Sequence, residues 1–137
     1  MFNKETEYAI RGLVYIQLQN MNGRRPGIVE ITREIEAPHF FTAKILQRMV
    51  KQGFLKSIKG KGGGFYFNED ISELTIREII TLTEGNKILS GCGFGLKFCD
   101  ADNPCPFHEQ YAPIREAIDS LVSTETIHSL AKRYKLK

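Results

Sequence analysis

The residues Lys44-Ile45-Leu46-Gln47-Arg48-Met49-Val50-Lys51-Gln52-Gly53-Phe54-Leu55 run into Lys56-Ser57-Ile58-Lys59-Gly60-Lys61-Gly62-Gly63-Gly64-Phe65. Their reading decides the fold. Across residues 38–52 the side chains of Phe41, Ile45, Leu46, Met49 and Val50 recur at helical intervals, leaving His39, Thr42, Ala43, Lys44, Gln47, Arg48 and Lys51 on a basic outer face. Gly53 supplies the C-terminal stop. Two β-prone runs, residues 54–59 and 65–67, then flank a glycine-rich turn, which is a hairpin signal.

Upstream, Ala9, Ile10, Leu13, Val14, Ile16 and Leu18 predict a first helix over residues 5–19, followed by a polar connection over residues 20–27. Ile28, Ile31 and Ile35 predict a short second helix from about Glu30, and Ala37-Pro38 breaks the period. This order of elements predicts a mainly α chain with a small β-hairpin, a winged helix-turn-helix. Its second turn-pair helix enters the major groove of DNA and its hairpin reaches the neighbouring backbone or minor groove.

Downstream, Thr75-Ile76-Arg77-Glu78 is a capping box that opens a fourth helix running to Glu84-Gly85. Residues 86–108 contain Gly91, Gly93, Gly95, Pro104 and Pro106 and read as an irregular ligand-bearing loop. Tyr111, Ile114, Ile118, Leu121 and Val122 then predict a helix that begins or bends near Pro113 and is long enough to serve as a dimer seam. Thr126, Ile127, Leu130 and Ala131 predict a last short helix before a basic tail, residues 132–137. The expected division is residues 1–85 for DNA, 86–108 for the cysteines, and 109–137 for dimerisation and the last helix.

The 137 residues are 42% apolar and 26% charged, an ordinary globular balance. No apolar run approaches the about 20 residues of a membrane span, and residues 1–5 lead into an amphipathic stretch rather than a secretory signal, so a cytoplasmic chain is expected. Residues 1–68 carry 11 Lys and Arg against 5 Asp and Glu, net +6, while residues 69–137 carry 8 against 11, net −3. A basic half joined to an acidic one points to a polyanion at one end. The run Lys59-Gly60-Lys61-Gly62-Gly63-Gly64 lacks the full phosphate-loop pattern and suits a wing tip whose lysines meet DNA phosphates.

Cys92, Cys99 and Cys105 fall within fourteen residues, and an odd number argues against a disulfide framework. With His108 they place three thiolates and an imidazole on one loop, donors suited to an iron-sulfur cluster or zinc. Gaps of six and five residues are wider than the pairs that structural zinc favours. A cofactor-free thiol switch stays open, as does a small cluster carrier or electron-transfer protein, although the latter has no use for the basic segment at residues 38–67. No nucleophile and base pair suggests an enzyme.

These features together resemble the IscR-like winged-helix regulators of bacteria, which include NsrR-type nitric oxide sensors and a cluster-free CymR type. The likeness rests on Glu7-Tyr8-Ala9-Ile10, on the run from Lys44 through Phe65, and on the Cys/Cys/Cys/His loop. The resemblance implies a homodimeric transcription factor on double-stranded operator DNA, with an iron-sulfur cluster, 2Fe-2S rather than 4Fe-4S, on Cys92, Cys99 and Cys105. It implies His108 as fourth ligand, or Glu7 of helix one from the partner subunit, as in some NsrR-like members. His39, Thr42, Lys44 and Arg48 of the third helix and Lys59 and Lys61 of the wing are the expected DNA-binding residues. Ala43 stands where IscR carries a glutamate.

Overall fold

Asn3 opens the first helix by accepting the Thr6 N–H at 2.8 Å, and Glu5 and Glu7 complement the positive end of the helix dipole. The structure, a computed structural model, describes residues 2–68 and 73–135. Met1 of the expected N-terminal stretch, and Leu136 and Lys137 of the expected basic tail, lie outside the described residues. Helix α1 (Lys4–Met21) buries Thr6, Ala9, Gly12, Leu13 and Ile16 along one side. Helix α2 (Ile28–Glu34), helix α3 (His39–Lys51), the strands β1 (Lys56–Ile58) and β2 (Gly64–Tyr66), and helix α4 (Ile76–Thr83) follow in the expected order. A mostly helical chain with one two-stranded antiparallel hairpin is what the sequence predicted.

Helices α5 (Lys87–Ser90), α6 (His108–Thr124) and α7 (Ile127–Lys135) complete the chain. α1 packs against α2, α3, α4, α7 and β2, and one core cluster unites Leu13, Ile16, Ile31, Leu46, Met49, Leu55, Ile79, Ile80, Val122 and Ile127. Thr75 caps α4 by accepting the Glu78 N–H at 3.2 Å, and its hydroxyl meets the Glu78 carboxylate at 3.3 Å. The backbone beside it pairs with the entry to α7, through Ile76 N–H to the Glu125 carbonyl at 3.0 Å and Ile127 N–H to the Leu74 carbonyl at 2.9 Å.

Two boundaries depart from the sequence reading. Residues 86–108 are not irregular throughout, because α5 occupies their first part. α6 begins at His108, with Pro113 inside it, rather than starting near the proline. Proline in position six of a helix forfeits one backbone hydrogen bond, and the cysteine segment immediately before fixes where the helix starts.

The inner stripe of α3 also differs. Thr42, expected outside, is fully buried, and Thr42, Ile45, Leu46 and Met49 form the inner face at i, i+3, i+4 and i+7. Phe41, expected inside, is 44% exposed and sets its ring edge-on against Tyr8 at 5.8 Å. The exposed stripe is therefore Phe40, Lys44, Gln47 and Lys51.

The hairpin pairs Lys56 with Tyr66, Ser57 with Phe65 and Ile58 with Gly64. It does not stand free. Phe65 N–H donates to the Pro26 carbonyl at 2.8 Å, and Asn20 clamps the strand by donating to the Phe65 and Arg24 carbonyls and accepting the Phe67 N–H. Arg24 is held in turn by a two-pronged pair with Glu30, at 2.7 and 2.9 Å, to which Tyr15 also donates. Arg24 holds the Glu30 carboxyl below its usual range, and burial and then Glu30 push the Tyr15 phenol up to about 12. At Gly64, with φ +143°, an added Cβ would lie 2.1 Å from the Arg25 carbonyl oxygen. Replacing Gly64 by Ala is expected to lift the wing from residues 25–26 and to cost about 1–3 kcal/mol. Urea unfolding beside the parent checks this, and an unchanged midpoint refutes the docking described.

Candidate metal centre and nucleic-acid interface

Residues 91–107 connect α5 to α6 and are folded by short local contacts. Asp100 accepts the N–H groups of Asp102 and Asn103 at 2.9 and 2.8 Å, turning the chain between Cys99 and Cys105. Phe94 and Phe107 meet edge to face at 5.6 Å across the segment. The result is a sulfur cluster: the Sγ atoms of Cys92, Cys99 and Cys105 lie within 4.8 Å of one another, and Cys92 and Cys105 approach to 3.4 Å as free thiols. Phe94 N–H points at Cys92 Sγ and Cys105 N–H at Cys99 Sγ, each at 3.3 Å.

Burial pushes the Cys92 thiol up, but the backbone N–H groups of Leu96 and Phe94 and the Cys105 thiol outweigh it and bring Cys92 down to about 7. For Cys99 the Cys105 N–H pulls down, while burial and the two neighbouring sulfurs push up and prevail. Crowded thiols of this kind resist full ionisation unless a cation shares the charge. Soft donors with backbone N–H groups already aimed at them suit a thiophilic metal or cluster.

His108, the first residue of α6, is half-buried with Nδ1 3.6 Å from Cys99 Sγ, at one edge of the sulfurs. Glu7 sits in the first turn of α1 and pairs with Lys4 at 3.1 Å. Among the described residues only the three sulfurs form a mutually close set of metal-binding atoms. Two further residues hold the loop. Arg115 on α6 donates to the Gly91 carbonyl at 2.8 Å, and Gly93 lies so close under the Tyr111 ring that a Cβ would sit 2.6 Å from it. A hollow of about 430 Å³ beside Cys92 is lined by Asn3, Glu84, Lys87 and Tyr111, so the loop abuts the start of α1. There the Glu84 carboxylate accepts from the Asn3 N–H at 3.0 Å and the Thr6 hydroxyl at 2.6 Å.

At the other end, Lys44, Lys59 and Lys61 are exposed and His39 is half-exposed, as a DNA-facing surface needs. Thr42 is fully buried, and Arg48 is part-buried with its side chain 42% exposed. Arg48 reaches inward to pair with Glu5 of α1 and lies 3.5 Å from the Leu82 carbonyl, while its Nε is buried. Arg25 covers the Tyr66 ring at 4.4 Å and adds a cation at the base of the wing. Sequence reasoning missed the wing clamp at Asn20 and the loop-holding Arg115 and Tyr111, because each acts across many residues with no motif to mark it.

The chain matches the family described as "Rrf2: Iron-dependent Transcriptional regulator" over residues 2–133 and belongs to it. It is a transcriptional regulator with a DNA-binding winged helix, and the known relatives are regulators rather than enzymes. A candidate HTH-type transcriptional regulator of Aquifex aeolicus (strain VF5) is 29% identical over 132 residues, covering 95% of this chain and 90% of that one. The HTH-type transcriptional regulator IscR of Yersinia pseudotuberculosis is 24% identical over 123 residues, covering 90% and 74%. Among solved structures, CymR, the global cysteine regulator of B. subtilis, superposes with a TM-score of 0.75 at 16% identity over 97% of both chains. T. potens IscR gives 0.72 at 15% identity over 98% of this chain and 88% of that one. No helix among the described residues is long and apolar enough to cross a membrane.

The Thr42 hydroxyl is buried without a hydrogen-bond partner. Removing an unpartnered hydroxyl at nearly constant shape relieves a desolvation penalty of about 1–3 kcal/mol. Thr42→Val is therefore expected to unfold at equal or higher temperature and to keep its DNA sequence preference. A changed preference in a binding-site selection would return Thr42 to the DNA surface.

Proposed function

We propose that this regulator reads iron-sulfur, redox or nitric oxide status through a cluster held by Cys92, Cys99 and Cys105, with His108 the fourth ligand, and acts as a cytoplasmic homodimer on double-stranded operator DNA. The observation that carries the reading is the gathering of three sulfurs in one short segment that is anchored to α6 and abuts α1. Such a cluster supplies a reversible one-electron or loss-of-iron signal when bound. The imidazole of His108 stands beside Cys99 in the same chain, whereas Glu7 would have to come from a second subunit. We read the cluster as 2Fe-2S rather than 4Fe-4S, and a neutral ligand in place of a thiolate would raise its potential.

Division of labour follows the chain. Residues 1–85 meet DNA, 86–108 hold the cluster and 109–137 form the seam, where Ile114 and Leu121, seven residues apart on α6, are both 57% exposed. His39 and Lys44 face the groove, and Lys59 and Lys61 take phosphates. Arg115, Gly93 and Tyr111 transmit the order of the loop to α6, and Glu84 to the first turn of α1. A second reading, a cluster-free thiol regulator, is favoured by the 3.4 Å approach of Cys92 and Cys105.

Anaerobically purified protein is expected to contain iron and acid-labile sulfide and to absorb in the visible range. Serine at Cys92, Cys99 or Cys105 should abolish both, and His108→Ala should shift the spectrum while Glu7→Ala leaves it unchanged. Metal-free protein that forms a Cys92–Cys105 disulfide would replace the cluster by the thiol reading, and a spectrum moved by Glu7→Ala alone would make the site bridge two subunits.

A separate measurement addresses DNA. Each neutralised phosphate lowers log K by about 0.9 per decade of salt, so alanine at Lys59 and Lys61 together, four cations in the homodimer, should weaken binding to every duplex and flatten the slope by roughly 3.6. An unchanged slope removes the wing from the interface.

A further inference from the structure

Phe40 is 81% exposed, the highest among the exposed large apolar residues described, and its surroundings say what it meets. Of the other exposed aromatics described, Phe94, Phe98 and Phe107 gather at the cysteine segment, Phe41 packs on Tyr8 and Tyr134 lies on α7, whereas Phe40 stands apart at the second position of α3. It heads the exposed stripe that continues through Lys44, Gln47 and Lys51, and α3 contains no acidic residue. Its neighbour in sequence, Phe41, packs edge-on against Tyr8 of α1, whereas the ring of Phe40 meets the adjacent His39 edge to face at 5.1 Å and stays largely open to solvent. That contact steadies the ring without covering it.

We infer that Phe40 is a base-reading residue, its ring packing on thymine C5-methyl groups in the major groove. The inference rests on the DNA-binding reading of α3 and goes beyond it by naming the base feature recognised. A surface that alternates an aromatic ring with cations and an amide fits a partner that alternates apolar spots with anions. The major groove of DNA is such a partner, since thymine methyls lie on its floor between two rows of phosphates. RNA lacks that methyl, and the deep, narrow major groove of its duplex does not admit a helix. The first turn of a recognition helix is also where side chains reach base edges. Phe40 therefore supplies sequence discrimination that the lysines, as phosphate ligands, cannot.

The test uses the full chain and a duplex recovered with it from a randomised pool. Each thymine is replaced singly by deoxyuridine, which deletes the methyl and keeps the base pair. At one thymine of the bound site the parent should lose roughly three- to four-fold in affinity, the worth of about one buried methylene. Phe40→Ala should bind the unmodified duplex more weakly by at least that factor and be indifferent to the same replacement, while Phe40→Leu restores both affinity and the uracil penalty. The alanine variant of Lys59 and Lys61 should keep the penalty. An equal penalty in Phe40→Ala, an unaltered affinity on losing the ring, a uniform weakening on all duplexes, or no thymine whose methyl matters each overturns the inference while leaving DNA binding intact. A parent protein with no salt-dependent binding to any duplex overturns the DNA reading and this inference together.

Discussion

Burial of one side of α1 is the constraint on which the rest of the structure depends. Ala9, Leu13 and Ile16 are wholly inaccessible, and Gly12 beside them faces the side chains of Leu46, Ile35 and Ile31. Each of the large side chains contributes about 1.5–3 kcal/mol by leaving water. α2, α3, α4, α7 and β2 all pack against this helix, so the placement of α3 and of the wing depends on it.

The first turn of α1 is also where the two functional ends come together. Glu5 holds Arg48 of α3, and Arg48 touches the Leu82 carbonyl at the end of α4. One residue further along α1, Thr6 meets Thr83 and Glu84, each at 2.6 Å, and Glu84 leads into α5 and the sulfurs. Neutralising Glu84 or moving it would disturb the seat of α1, and through Glu5 the axis of α3. A contiguous set of polar contacts of this kind is a physical route for coupling free energy, provided that the loop has two arrangements.

Most of the architecture was legible because period and punctuation agree: Thr75 before an apolar run, Gly53 after one, and glycines between two β-prone runs. The inner face of α3 was misread for a definite reason. Hydrophobicity alone chooses Phe41 over Thr42, but the buried face of α3 is the one that Thr42 shares with Ile45, Leu46 and Met49, and it holds the threonine hydroxyl unpartnered. The same rotation puts Phe40 outside, where no sequence rule would place an aromatic ring. The cysteine site was legible from residue type and spacing, but its anchors were not, since Arg115 reaches back 24 residues to the Gly91 carbonyl and Tyr111 covers a glycine 18 positions earlier. Likewise, nothing in the sequence marks the pairing of Arg48 with Glu5, 43 residues away.

The packing of α7 onto α1 joins two segments separated by more than a hundred residues of chain. At about 5–20 residues per second of synthesis, roughly 6–25 s separate the appearance of Ala9 from that of Ala131, which closes over the same core. During that interval the apolar side of α1 lacks its final cover, and an interrupted chain never gains it. A chain cut short before residue 127 would thus carry α1 with part of its apolar side uncovered, a target for chaperones and proteases.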